Sequence, residues 1–340
     1  NVPIKNGEIK DNFRILKSVG IVETILDKSR TITFTSHIGR PEGKDLNLSL
    51  RPVAEIMANI LGKEVHFIDV VFGEKVEEQI EKSESKIFLL ENLRFEKGEI
   101  ENDNIFSKKI TKPFNSYIFD AFGVAHREHA SVVSFGENLD SFQGPLMDKE
   151  IHELDKLLNN SETGYAVLLG GAKISDKLNL IEMLLPKVEY LMVGGGMCFT
   201  LLKALGHEIG RSLLEESFIS KAEKLLNSKF GKKIILPIDF GVADSINSSV
   251  RENVKLEDFK NNHIGVDIGP QTVSKFRKIL KKSSNIFWNG PMGIFEKEAF
   301  SYGTKEITEI ISNSSAYTCI GGGDSVSAIN RFSDKKNFNH

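Results

Sequence analysis

An apolar run that ends abruptly at a pair of glycines constrains this chain more than any other feature. Ala166 to Leu169 reads as a buried strand, and Gly170 and Gly171 follow at once. Apolar residues then recur at helical spacing, at Ile174, Leu178, Ile181 and Leu185, until Pro186 stops them. A second apolar run, Tyr190 to Val193, ends in another cluster, Gly194 to Gly196. That order is a strand–helix–strand unit with a right-handed crossover, and it points to an α/β fold with a parallel sheet.

A glycine turn that opens a helix leaves backbone N–H groups free where the helix dipole is positive, which favours an anion. Lys173 and Lys177, spaced four apart on the expected first turns, would both reach that face. Two readings stay open at this point: a phosphate-handling site, and a turn that only joins strand to helix. The stretch contains neither G-x-x-x-x-G-K-[ST] nor G-x-G-x-x-G. It is therefore not a Walker A loop, and a dinucleotide site is weakened.

Repetition strengthens the phosphate reading. Gly321 to Gly323 follow the apolar run Ala316 to Ile320, and Gly290 and Gly293 follow Asn285 to Trp288. These clusters are expected to converge on one sheet edge, where the backbone can approach a flat base and a phosphate chain closely. Asp324, beside the last cluster, is placed either to meet a magnesium–phosphate complex or to cap a helix.

The first half reads as strands alternating with helices. A helix is expected over residues 11–26, with Arg14 on its first turn, and another after Ser49, a candidate cap, with Pro52 near its start. Strands are expected at Thr31–Ser36, Val65–Val70, Lys86–Glu91 and Tyr117–Phe122. Arg40, Arg94 and Arg127 each lie a few residues past a strand's carboxyl end, with His37, His126 and His129 in the same loops. In a parallel sheet those ends share an edge, and ligands bind there. The planar guanidinium grips carboxylate and phosphate oxygens in pairs, so the cluster points to a small anion. The alternative is surface arginines, each paired with an acid. In the second half, helices are expected at Asp148–Leu158 and Leu213–Leu226, and a further strand at Lys233–Ile238.

A length of 340 residues suggests two domains, with the boundary at the start of the helix that opens at Asp148, giving 1–147 and 148–340. The formal net charge of −3 implies neither a nucleic-acid partner nor an anionic membrane surface. Cys198 and Cys319 sit alone in apolar patterns without metal spacing, as buried reduced thiols in a cytosolic protein would. No apolar run approaches the length of a membrane span.

With these residues in view, the chain resembles the phosphoglycerate kinase family over nearly its whole length. The matching blocks are Asn1–Pro3, His37–Pro41, Leu90–Phe95, Asp120–Arg127, Gly170–Lys177, Gly194–Met197, Gly265–Pro270, Trp288–Glu296 and Gly321–Asp324. The resemblance implies two Rossmann-like three-layer (αβα) domains with mainly parallel sheets, joined by a helix, with a ligand cleft between them. It implies a monomeric, cytoplasmic, glycolytic enzyme that transfers a phosphoryl group reversibly between 1,3-bisphosphoglycerate and ADP with Mg²⁺, giving 3-phosphoglycerate and ATP. Asn1, Arg14, His37, Ile38, Gly39, Arg40, Arg94 and Arg127 would hold the glycerate. Gly170, Gly171, Lys173, Lys177, Gly194, Gly195, Gly265, Asn289, Glu296, Gly322, Gly323, Asp324 and Ser325 would hold the nucleotide, with Glu296 on the ribose hydroxyls and Asp324 toward the metal. Arg14 and Lys177 would flank the phosphoryl group in flight. Val124 and Ser325 stand where the family usually has threonine. The family also places a strand with an aspartate before Asn1, and a glycine-rich phosphate loop and closing helix beyond His340. Each domain is accordingly expected to lack a terminal piece here. The rival readings are a dinucleotide-dependent dehydrogenase and a non-catalytic nucleotide-binding relative.

Overall fold

The computed structural model describes residues 2, 4–5, 8–9, 12–159, 164–333 and 337–340. The chain divides into two compact units, Asn1–His152 and Glu153–His340. The division falls inside the helix Pro145–Asn159, the element in which the sequence reading set its boundary. Among the described residues no helix is long and apolar enough to cross a membrane.

In the first unit β1 (Ile4–Lys5) and β2 (Glu8–Ile9) form an antiparallel pair. A parallel three-stranded sheet places β5 (Ile87–Leu90) between β3 (Ile32–Phe34) and β4 (His66–Ile68). The pleat sends alternate side chains of β5 to opposite faces. Leu89 joins Ile15, Val19, Val53 and Met57, while Phe88 and Leu90 join Val76, Phe106 and Ile110. β6 (Ser116–Phe119) pairs in parallel with β7 (Asp140–Gln143), so the strands expected along one edge fall into two hydrogen-bonded sets.

In the second unit β8 (Tyr165–Leu169), β9 (Tyr190–Val193), β10 (Ile234–Ile235), β14 (Asn285–Asn289) and β15 (Tyr317–Gly321) make a parallel sheet of five strands in the order β10–β9–β8–β14–β15. It is covered on both faces, as parallel sheets are. Val167, Leu169, Leu191 and Val193 pack with helices Leu178–Leu184, Cys198–Ala204 and Ile219–Leu226. Ala166, Leu168, Met192, Ile286 and Trp288 pack with helices Pro270–Leu280, Tyr302–Ser312 and Gly323–Phe332. An antiparallel sheet stands apart, with β11 (Asp239–Ala243) between β12 (Glu252–Lys255) and β13 (Ile264–Ile268).

Several elements differ from the sequence reading. The helix expected over 11–26 breaks at Gly20 into Phe13–Val19 and Val22–Ile25, because glycine is a poor helix interior residue and ends the first segment. Ser49 lies one residue before the cap position, Leu50, yet its hydroxyl still accepts the helix's first N–H, that of Arg51, at 3.2 Å, while donating to Glu91 at 2.8 Å. The helix after the first glycine turn begins only at Leu178, and Lys177 is its cap. Residues 171–177 are drawn off by distant partners. The Gly171 N–H donates to Pro291 O at 3.0 Å, and the Ser175 N–H and hydroxyl donate to the Glu215 carboxylate at 3.0 and 2.6 Å. The same contact explains why Leu213–Leu226 is helical only from Glu216 on, since Glu215 is held between Ser175 and the Thr200 hydroxyl.

Candidate anion and nucleotide sites

The second unit's glycine turns meet because the strands before them end level. Leu169 lies opposite Asn289, and Asn289 opposite Gly321. The turns then bond to one another. The Gly170 N–H donates to Asn289 O at 3.0 Å, Gly195 N–H to Met292 O at 3.1 Å, and Met197 N–H to Gly171 O at 3.1 Å. Glycine is obligatory at the contact. A Cβ on Gly170 would sit 2.6 Å from the Gly290 carbonyl oxygen and closer still to that of Pro291. The Ser325 hydroxyl, fully buried, accepts the Gly290 N–H at 2.6 Å and fixes the turn after β14.

Above these turns lies a cavity of about 260 Å³. Its walls are Gly170 to Lys173, Asp176 and Lys177 on one side and Asn289, Gly290 and Gly322 to Ser325 on the other. The Lys177 ammonium bonds the Asn289 side-chain oxygen. Burial lowers the Lys177 pKa, opposed by the carboxylates of Asp176 and Asp324, so the cation is poised between a desolvating pocket and two anions. Gly170, Gly171, Lys173, Lys177, Asn289, Gly322, Gly323, Asp324 and Ser325 thus share one cavity, as expected. Four expected residues stand elsewhere. Gly194 and Gly195 pack beneath the turns, against Met292 and Gly171. Gly265, in β13, donates its N–H to the Ser212 hydroxyl at 2.9 Å. Glu296 is exposed, and its carbonyl accepts from Arg331 at 2.9 Å. Ala172, Asp176 and Gly290 join the cavity without having been assigned to the site, although Gly290 was visible as a glycine after an apolar run. Among the described residues no three His, Cys, Asp or Glu side chains cluster to cage a metal. Two carboxylates beside phosphate-sized space suit Mg²⁺, which takes few protein ligands and completes its shell with phosphate oxygens and water.

In the first unit the loops after β3, β5 and β6 converge. Asn92 staples two of them, since its side chain accepts the Ile38 N–H at 3.3 Å and donates to Ile38 O at 2.9 Å. Ile38 itself points into the apolar core. Gly39, at φ +68, turns its carbonyl to the Arg94 guanidinium. Buried Glu91, which the sequence reading did not single out, steadies the same corner by accepting the Leu50 and Asn92 N–H groups at 2.9 and 2.7 Å. Arg94 is buried, yet among the described residues its Nε and Nη2 have no hydrogen-bond partner, and Arg127 Nε has none either. Desolvation lowers the Arg94 pKa, helped by the charges of Arg127 and Arg40 and opposed by the Glu99 carboxylate. His37 is held down to about 3 by burial and then by Arg94, Arg127 and His129, so it is neutral at neutral pH. Arg40 is exposed, as is Arg14 on the first turn of Phe13–Val19. Asn1 lies outside the described residues. Buried guanidinium nitrogens without partners are costly, and an oxyanion is the ligand that would satisfy them.

An α/β chain with an unsatisfied arginine cluster at one unit's strand ends, and a glycine-walled cavity with lysines and carboxylates at the other's, belongs to the class of phosphate-handling proteins. The family model described as phosphoglycerate kinase matches residues 1–340. The phosphoglycerate kinase of Rubrobacter xylanophilus is 39% identical over 342 residues, covering 100% of this chain and 87% of that protein. The one from Thermosipho africanus is 42% identical over 349 residues, again covering 100% of this chain and 87% of its own. Among solved structures, phosphoglycerate kinase from Coxiella burnetii superposes with a TM-score of 0.82 at 32% identity, covering 99% of this chain and 87% of that one. The chain belongs to the phosphoglycerate kinase family.

Proposed function

We propose that this protein transfers a phosphoryl group reversibly between the acyl phosphate of 1,3-bisphosphoglycerate and ADP, and that it does so with the residues described above. Membership of the family and the relatives' shared name carry the activity. The observation that carries the assignment of residues is the cavity in which Lys177, Asn289 and the glycine turns meet. The nucleotide phosphates would lie over Gly170, Gly171 and Gly322 to Ser325, with Lys173 and Lys177 as counter-charges. The glycerate's phosphate and carboxylate would take the open donors of Arg94 and Arg127, with Arg40, His37 and Arg14 around them.

The chemistry needs little more than this. A carboxylate oxygen and a phosphate oxygen exchange the phosphoryl group, so no general base is required. Catalysis is positioning plus stabilisation of charge on the transferring oxygens. Lys177 and Arg14 would supply that charge. A bound Mg²⁺, held by Asp324 with Asp176 near by, would neutralise phosphate oxygens. Direct transfer also requires the two bound substrates to meet with water excluded, and we include domain closure in the cycle for that reason. We place the enzyme in the cytoplasm, as a monomer.

The test is an assay of ATP- and Mg²⁺-dependent phosphorylation of 3-phosphoglycerate, coupled to consumption of the product. Turnover is expected. Tight ADP binding without any turnover would replace this reading with a non-catalytic nucleotide-binding relative.

A further inference from the structure

Behind the arginine cluster of the first unit lies a fully buried carboxylate. Glu99, on the single helical turn Lys97–Ile100, is 0% exposed. Its Oε2 accepts the Ser131 N–H at 3.0 Å and its Oε1 accepts the Ser131 hydroxyl at 2.6 Å. The Glu99 carbonyl takes the Ala130 N–H at 2.8 Å, and the Tyr117 hydroxyl donates to Ser131 O from the other side. Ser131 is therefore gripped at its N–H, its side chain and its carbonyl. The segment it closes, residues 124–131, carries Arg127, His126 and His129. The turn that Glu99 stands on follows Arg94 directly, because Lys97–Ile100 succeeds the 3₁₀ turn Leu93–Phe95. His129 Nδ1 lies 3.7 Å from Glu99 Oε1.

We infer that Glu99 is a positioning residue for the anionic substrate, a clamp that fixes the Arg127–His129 loop against the segment bearing Arg94. The carboxylate does this without occupying the guanidinium donors. Among the described residues Arg94 Nε and Nη2 and Arg127 Nε remain without hydrogen-bond partners, and each Glu99 oxygen accepts from Ser131. Burial raises the Glu99 pKa, while the Ser131 hydrogen bonds and Arg94 hold it down, so its contacts and the cluster's charge support one another. This inference rests on the proposed function, since it takes the arginine cluster to be the 3-phosphoglycerate site.

Two effects of neutralising Glu99 oppose each other. Loss of a negative charge near the cluster strengthens its attraction for an anion. Loss of the charge weakens the clamp and lets Arg127 move, because glutamine offers one neutral acceptor oxygen where the carboxylate accepts both the Ser131 N–H and the hydroxyl with charge. The sign of the change therefore identifies the role. The experiment measures wild type, Glu99→Gln and Ser131→Ala by steady-state kinetics in both substrates and by calorimetric binding of 3-phosphoglycerate. Glu99→Gln is expected to raise KM and Kd for 3-phosphoglycerate about tenfold, one hydrogen-bonding unit of affinity, with KM for ATP within about twofold. Ser131→Ala, which keeps the charge and removes one hydrogen bond, is expected to move the same constants in the same direction by less, and it decides the question if Glu99→Gln does not fold. Tighter or unchanged 3-phosphoglycerate binding in Glu99→Gln, unchanged binding in Ser131→Ala, or an equal rise in both KM values overturns the clamp. A wild-type enzyme that does not act on 3-phosphoglycerate overturns the proposed function instead, so the two failures are distinct.

Discussion

Lys177 carries the sharpest expectation about a single side chain. Its ammonium is partly desolvated, bonded to Asn289 and faced by Asp176 and Asp324. A charge held this way stabilises most strongly a state in which negative charge has grown on the transferring oxygens, and that state is the transition state. Lys177→Ala is expected to lower kcat by about 10²–10³, with much smaller changes in either KM. Steady-state kinetics with both substrates varied check this, and normal turnover with a tenfold poorer constant for ATP would reduce Lys177 to a ground-state anchor. The lysine itself was legible in the sequence, but its setting was not. Spacing put Lys173 and Lys177 on successive helical turns, whereas Ser175 is committed to Glu215, 40 residues away, and the backbone between the lysines is bent. Periodicity reports local preference, and a partly buried pair of charge-assisted hydrogen bonds outweighs it.

At the scale of elements, the long apolar runs were the readable part. β8, β9, β14 and β15 lie where their runs lie, because strands buried on both faces must be continuously apolar. The antiparallel sheet of β11, β12 and β13 gave no such signal, since β12 reads Glu-Asn-Val-Lys and is mostly exposed. The convergence of glycine turns was also legible, as a pattern of glycines after strands, but the reason for it required the level strand ends and the hydrogen bonds between the turns. Those bonds give the prediction for this scale. Gly170→Ala would drive a methyl group into the Gly290 and Pro291 carbonyls, both backbone atoms that cannot swing aside. The turns must separate, at a cost of about 1–3 kcal/mol, and the phosphate cavity must deform with them. ADP affinity by calorimetry and stability by urea denaturation should both fall, while Gly43→Ala, where a Cβ meets nothing within 4 Å, should change neither. Retained ADP affinity in Gly170→Ala would show that the turn contacts are not what shapes the site.

For the whole molecule, the division into two compact units makes the binding steps separable. The arginine cluster is built entirely from residues of Asn1–His152, and the glycine-walled cavity entirely from residues of Glu153–His340. Each unit has its own apolar cores on both faces of its own sheet. Arg127→Ala removes a guanidinium whose Nε is buried and, among the described residues, without a hydrogen-bond partner, which costs the fold little and costs an anionic ligand a charge-assisted contact. Such a contact is worth about 1.5–3 kcal/mol, or roughly 10- to 100-fold in Kd. Arg127→Ala is therefore expected to weaken 3-phosphoglycerate binding by that factor and to leave ADP binding and the thermal midpoint unchanged. Titration calorimetry of the variant with each ligand separately is the measurement, since kinetics would mix the binding steps with transfer. Loss of ADP affinity equal to the loss for 3-phosphoglycerate would mean that Arg127 serves both ligands, and the assignment of one substrate to each unit would have to be abandoned.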